Sequence, residues 1–248
     1  MKFDKGIAFA TGAGATLAVA ITFILSSYGL IPADRTISDN AIHDYLLSHP
    51  EVLVDMTNRL QARQQETDDA ARQVAVNKLG AKAFFDPAIA FVTGPTNAKT
   101  TIVEFFDYNC PYCRASVSAV EKFYDAHRSD VRFAFIEFPI NGQNSIVASR
   151  FALAARMQPD KYLAFHFALM REEGEADATT ILATAKKVGL DLAKLQVDEK
   201  SPAIDSALAA SHDLARAALI DGTPAFIIDG KIREGRIDDN VIKEMARK

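Results

Sequence analysis

Apolar and polar positions divide the chain into stretches of clearly different character. From Gly6 to Ala33 no charged residue occurs, and Lys2 and Lys5 precede the run. At about 1.5 Å per helical residue this run outlasts the roughly 30 Å hydrocarbon core of a bilayer. It predicts an export signal or an uncleaved membrane anchor over residues 1–33, with the lysines on the cytoplasmic side. Ala18-Val19-Ala20 has the small-x-small form of a cleavage site, but Ile21, Phe23, Ile24 and Leu25 extend the apolar run past it and favour the anchor. Residues 36–83 predict helices and no strand. Ser38 or Asp39 caps a helix bearing Ile42, Tyr45 and Leu46. Pro50 then opens another, with Val52, Leu53, Met56 and Leu60 at spacings of three and four. From Gln61 to Gln73 the pattern is polar, and only Ala70, Ala71 and Val74 continue an apolar side. So little apolar area does not hold a helix alone. The arm is either a solvated spacer or half of a contact with another chain, and Arg63 and Thr67 interrupt any heptad.

Asp86-Pro87 and Gly94-Pro95 mark a boundary. The β-branched and aromatic run Thr101 to Phe106 (TIVEFF) predicts a buried strand. Val117, Val120, Phe123 and Tyr124 line one face of a helix ending near His127, and Val131 to Phe138 alternates as a second strand. Strand, helix, strand predicts a parallel pair with a right-handed crossover. Residues 141–220 turn helical again, too long for a simple crossover, and predict an inserted helical subdomain. Ala225 to Ile228 reads as a strand, Asp229-Gly230 as a type I′ turn, and Lys231 to Arg233 as its hairpin partner. Asp238 or Asp239 caps a terminal helix. The expectation is an α/β chain in three parts: the apolar segment 1–33, a helical arm 34–85, and an α/β domain 86–248 carrying the helical insertion.

Composition narrows the function classes. The 248 residues are 49% hydrophobic and 24% charged, with a net charge of −4. That balance excludes disorder and collagen-like chains, and the absence of a basic stripe argues against nucleic acid as a partner. With only two cysteines, neither a disulfide scaffold nor a four-cysteine zinc site is available. No paired metal spacing occurs among the five histidines, so no metal is expected, and no cofactor beyond the cysteines themselves.

Those cysteines, Cys110-Pro111-Tyr112-Cys113, open the first predicted helix of the α/β domain. Pro111 suits the first helical turn, where its missing N–H is no loss. Cys110 then sits at the positive helix end, where a thiolate is stabilised and the pKa falls from about 8.5. Cys113, one turn further in, is placed to resolve a mixed disulfide formed at Cys110. Glu104 is an ionisable residue inside an apolar strand. It is either an edge residue facing solvent or a buried acid with raised pKa that relays the proton of Cys113. Thr223-Pro224 precedes a strand. A cis Pro224 facing the cysteines would leave the Thr223 backbone to pair with a substrate strand; an ordinary trans turn is the alternative.

At FFDYNCPYC, the helical insertion and GTPAF, the chain resembles the DsbA-like members of the thioredoxin superfamily over roughly Pro95 to Lys248. It departs from thioredoxin itself, because Asn109 stands where that family has Trp. AIHDYLLSHPEVLVDM followed by LQARQQ resembles the N-terminal domain of the suppressor-of-copper-sensitivity C (ScsC) proteins. The resemblance implies a thioredoxin fold and a thiol–disulfide oxidoreductase of the Gram-negative periplasm, with catalytic Cys110 and Cys113 and a cis proline at Pro224. It further implies protein substrates containing cysteines and a membrane redox partner. Some members form homotrimers through the N-terminal domain, here residues 36–83, and act as disulfide isomerases; others are monomeric.

Members similar to the oxidant DsbA have His where this chain has Tyr112, and an imidazolium stabilises the neighbouring thiolate better than a phenol. Less thiolate stabilisation makes a less oxidising couple, and Thr223 in place of Val is the pattern of isomerases and reductases. Isomerase or reductase action is therefore expected over dedicated oxidation. The rivals are a DsbA-like dithiol oxidase, and a Cu(I)-binding thiol carrier in copper tolerance, which two soft thiolates suit but which lacks a Met-rich cluster.

Overall fold

The computed structural model describes residues 39–246. The expected export or anchor segment, 1–33, lies outside the described residues. No helix among the described residues is long and apolar enough to cross a membrane. The chain divides into two compact units between Ala62 and Arg63.

The unit ending at Ala62 contains α1 (Asp39–Ser48) and the first turns of α2 (Glu51–Leu79). Ser48 closes α1 by donating its hydroxyl to the Asp44 carbonyl at 2.7 Å, and Tyr45 stacks on His49 with ring centroids 4.3 Å apart. The apolar residues foreseen on these helices, among them Tyr45, Leu46, Leu53, Met56 and Leu60, stand exposed.

In the second unit the remainder of α2 is followed by the short α3 (Ala81–Phe84). Five strands form one sheet: β1 (Ala90–Thr93), β2 (Thr100–Phe106), β3 (Val131–Glu137), β4 (Ala225–Ile228) and β5 (Lys231–Glu234), in spatial order β1-β3-β2-β4-β5. β2 pairs parallel with β3 and antiparallel with β4. The crossover helix between β2 and β3 is α4 (Pro111–His127). TIVEFF is thus the central strand, buried on both faces, which is why it reads as a nearly continuous apolar run.

Strand alternation sends Ile102 and Phe106 to the core that includes Cys110, Cys113 and Val117. Val103 and Phe105 go to the opposite core, under Val76 and Phe84. Between β3 and β4 the chain forms α5 (Gln143–Ala155), α6 (Pro159–Arg171), α7 (Ala178–Lys187), α8 (Leu192–Asp198) and α9 (Pro202–Ala217). Asp177 and Asp191 cap α7 and α8, accepting the Thr180 and Lys194 N–H. The β4–β5 hairpin turns through Asp229 (φ 50°) and Gly230 (φ 79°), as type I′ requires. α10 (Asp239–Ala246) begins after Asp238, whose carboxylate accepts the N–H of Asn240 and Val241.

β1 is absent from the sequence-based expectation, which took residues 86–95 as a boundary. Four residues between turn formers carry too little pattern, and the pairing that makes them a strand is antiparallel to β3, distant in sequence. Gly94 ends it at φ 86°, where a Cβ would lie 2.1 Å from the Val131 carbonyl oxygen.

Candidate active site

Cys110 is the N-cap of α4, with φ −79° and ψ 120°, and Pro111 is the first helical residue. The turn leading to it is built by Asp107, which is fully buried. One carboxylate oxygen accepts the Asn109 N–H at 2.7 Å. The other accepts the N–H of Ile140 at 2.7 Å and of Asn141 at 2.9 Å, and the Asn141 side-chain amide at 2.8 Å. One side chain therefore shapes the approach to Cys110 and ties it to the β3–α5 loop.

Arg114 holds the other side. Its Nε donates to the Tyr108 carbonyl at 2.6 Å, and its Nη1 to the carbonyls of Glu172 (2.6 Å) and Gly174. Asn109 Oδ1 accepts the Ala176 N–H at 2.7 Å, so the helical insertion braces the same turn. Asp107, Asn109 and Arg114 carry no expectation from sequence as site residues. The only signal was polar residues crowding a turn between two apolar elements, and their partners lie far along the chain.

Both cysteines are free thiols and buried. Burial and the neighbouring Cys110 sulphur push the Cys113 thiol far up. Cys110 is pulled down to about 6, first by the hydrogen bond from the Cys113 thiol, then by the Thr223 side chain and the N–H groups of Cys113 and Tyr112, against the opposing effect of burial. In the protonated state the Cys110 thiol donates to the Thr223 carbonyl at 3.1 Å. The Thr223 hydroxyl has no partner of its own there, so it is available to the thiolate once Cys110 ionises. The Thr223–Pro224 peptide is cis. Tyr112 is 61% exposed and brings no cation to the sulphur.

Glu104 lies on the central strand, opposite Phe135 of β3 and Phe226 of β4, and is 4% exposed; an edge position facing solvent does not apply. Its Oε2 has no hydrogen-bond partner, and burial raises its pKa to about 8. Its charge in turn raises Cys113, which places the two groups within electrostatic reach. Behind the site a second buried acid, Glu137, is likewise raised to about 8 by burial. It accepts from the hydroxyls of Ser149 (2.8 Å), Tyr162 (3.4 Å) and Tyr108 (3.5 Å). The Tyr108 hydroxyl also lies 3.0 Å from Nδ1 of His166, which burial keeps neutral. Among the described residues no group of three or more His, Cys, Asp or Glu side chains is arranged to hold a metal ion.

A protein-family model described as thioredoxin matches residues 88–246, and the model of the copper resistance protein ScsC N-terminal domain matches residues 39–66. A thioredoxin-like oxidoreductase from Silicibacter pomeroyi DSS-3 is 40% identical in sequence, with a TM-score of 0.62, covering 67% of this chain and 95% of its own. The catalytic domain of Proteus mirabilis ScsC is 27% identical, with a TM-score of 0.62, covering 70% of this chain and 96% of its own. The thiol:disulfide interchange protein DsbA of Bordetella pertussis is 28% identical over 174 residues, 64% of this chain and 83% of that one. The chain also matches the Na(+)/H(+) antiporter NhaA of Herminiimonas arsenicoxydans at 26% identity over 63% of its residues, but spans only 25% of that protein's length.

Proposed function

The chain belongs to the thioredoxin family as a DsbA-like member of ScsC type, and on that premise we propose that it is a periplasmic thiol–disulfide oxidoreductase acting on protein disulfides, chiefly as an isomerase or reductase. The observation that carries the reading is the unequal pair of thiols. One, Cys110, has a pKa near 6 at a helix start beside Thr223; the other, Cys113, is buried, protonated and hydrogen-bonded to it. At neutral pH only Cys110 is a nucleophile.

The Cys110 thiolate attacks one sulphur of a substrate disulfide, forming a mixed disulfide and releasing the other sulphur as a thiolate. With the Cys110 charge removed, one cause that holds Cys113 protonated disappears. Glu104, whose carboxyl titrates near 8 and so is ionised in a minority of molecules at neutral pH, takes the Cys113 proton in that ionised form. Cys113 then attacks the Cys110 sulphur, expelling the second substrate thiolate and leaving the Cys110–Cys113 disulfide. The dithiol has lost two electrons and the substrate has gained them. In isomerisation the freed substrate thiolate instead attacks a second substrate disulfide, and the thiolate this releases attacks the substrate sulphur of the mixed disulfide, expelling Cys110 as thiolate with no net transfer of electrons. Thr223 and Pro224 lie beside Cys110, where the backbone of an extended substrate would dock. A membrane reductase is the proposed source of electrons.

Isomerase or reductase action is favoured because the residue between the cysteines nearest Cys113 is an exposed phenol rather than an imidazolium, and a thiolate pKa near 6 lies above the roughly 3.5 of a strong oxidant. A second copy of the chain is the proposed partner for the exposed apolar residues of the unit ending at Ala62, in line with the ScsC-type segment they occupy. The test is refolding of scrambled ribonuclease and reduction of insulin by the full chain. Both activities are expected, and both are lost in Cys110→Ser; retention of activity in that variant overturns the reading.

A further inference from the structure

Arg72 belongs to neither matched segment, since it lies on α2 between residues 66 and 88. It is 8% exposed, unusual for a guanidinium unless its donors are satisfied. Its Nε donates to the Leu219 carbonyl at 3.0 Å. Its Nη2 donates to both Asp221 oxygens at 3.3 and 3.4 Å and pairs with Glu234 Oε2 at 3.2 Å, while Nη1 meets Asp69 at 3.4 Å. These partners bracket one short stretch of chain. Leu219 and Asp221 come just before Thr223–Pro224, and Glu234 is paired across the hairpin with Ala225, immediately after it.

The bracketed loop needs an external hold. It leaves α9 through a turn in which the Ile220 N–H returns to the Ala215 carbonyl at 2.8 Å, with Leu219 at φ 58°. That left-handed position usually falls to glycine, and a leucine persists there only when surrounding contacts over-determine it. The next residue of α2 secures the far end of the hairpin. Gln73 donates through Nε2 to the Gly230 carbonyl at 2.7 Å and accepts the Ile232 N–H at 3.2 Å.

We propose that Arg72 is a positioning residue for the dithiol: by bridging Leu219, Asp221 and Glu234 it holds the Thr223–Pro224 segment against the Cys110 sulphur. This rests on the thiol–disulfide reading above. The helix bearing Arg72 lies outside the five-stranded sheet and its crossover, yet through Arg72 it governs how closely Thr223 meets Cys110. If the bridge is cut, Asp221 and Glu234 lose the cation between them and the loop relaxes away from the sulphur. Thr223 then supports the thiolate less well, and the substrate backbone finds a less ordered edge.

The test uses the reduced full chain, with Cys110 ionisation followed by thiolate absorbance at 240 nm against a Cys110→Ser blank, and KM measured with a short peptide disulfide. In Arg72→Met the Cys110 pKa is expected to rise by about 0.5 or more and KM by about threefold or more, with Arg72→Lys intermediate. A folded Arg72→Met with wild-type pKa and KM overturns the proposal, since a merely structural arginine would lower only the melting temperature. Should Arg72→Met not fold, Arg72→Lys decides: a shift in the same direction supports the assignment, and wild-type values overturn it. Failure of the underlying reading shows separately, as absence of turnover in the wild-type chain, while the ionisation of Cys110 stays measurable.

Discussion

At the scale of single residues, reactivity is set by which side chains share protons with Cys110. The largest cause lowering its pKa is the Cys113 thiol, so Cys113→Ala is expected to raise the Cys110 pKa from about 6 toward an ordinary cysteine value. The pH profile of iodoacetamide alkylation reads that shift directly, and an unchanged midpoint would show that the helix start and Thr223 suffice. Glu104 titrates near 8 in the folded chain against 4.5 when exposed. Between those values the folded chain binds more protons than the unfolded one. The contribution of Glu104 to stability is therefore full below about pH 4.5 and lost as pH rises through about 8. Relative to wild type, Glu104→Gln is expected to lose less stability between pH 5 and 8 in urea unfolding, and to resolve mixed disulfides more slowly. Glu137 titrates in the same window, so part of the wild-type slope survives in that variant. The placement of the C-x-x-C turn at a helix start was legible in the sequence because neighbours along one helix turn are neighbours in space. Glu104 was legible as an anomaly in an apolar run, but whether it faced water depended on β2 being the central strand.

At the scale of elements, the site sits at a turn braced from several sides. Asp107 receives four N–H donors from the β2–α4 turn and the β3–α5 loop. Asp107→Ala strands these donors in a buried place and is expected to cost about 3 kcal/mol, measured as a fall in the urea midpoint at constant m. A loss below about 1 kcal/mol would mean that water replaces the carboxylate. Gly94→Ala places a Cβ against the Val131 carbonyl at a positive φ, with an expected cost of about 2–4 kcal/mol by the same measurement. Neither role was visible beforehand. In the sequence Asp107 is one polar residue following the TIVEFF run, and Gly94 stands with Pro95 at the expected boundary. What makes each demanding is a backbone group contributed by a distant segment.

For the whole molecule, the Cys110 thiol pulled down to about 6 and a solvent-facing Tyr112 predict a Cys110–Cys113 potential between a thioredoxin-like and a DsbA-like one. Equilibration with glutathione is expected to give a value between about −270 and −120 mV, and a value at the oxidising end would turn the proposal toward disulfide donation. Deleting residues 39–62 is expected to lower the mass in solution from an oligomer to a monomer, as read by light scattering; an unchanged mass removes the second-copy proposal. By itself the sequence determined what local order dictates. The helix start at the cysteines, the parallel strand–helix–strand unit, the hairpin turn and the long helical stretch before β4 all follow from periodicity and turn chemistry within a few residues. Tertiary structure alone decided what depends on distant partners: β1 as a strand, the burial of Glu104 between β3 and β4, the four donors on Asp107, and the reach of Arg72 to the Thr223–Pro224 loop. The physical reason is that propensity and periodicity act between neighbours along the chain. Burial, hydrogen-bond satisfaction and pKa shifts are set instead by whichever segments the fold brings together.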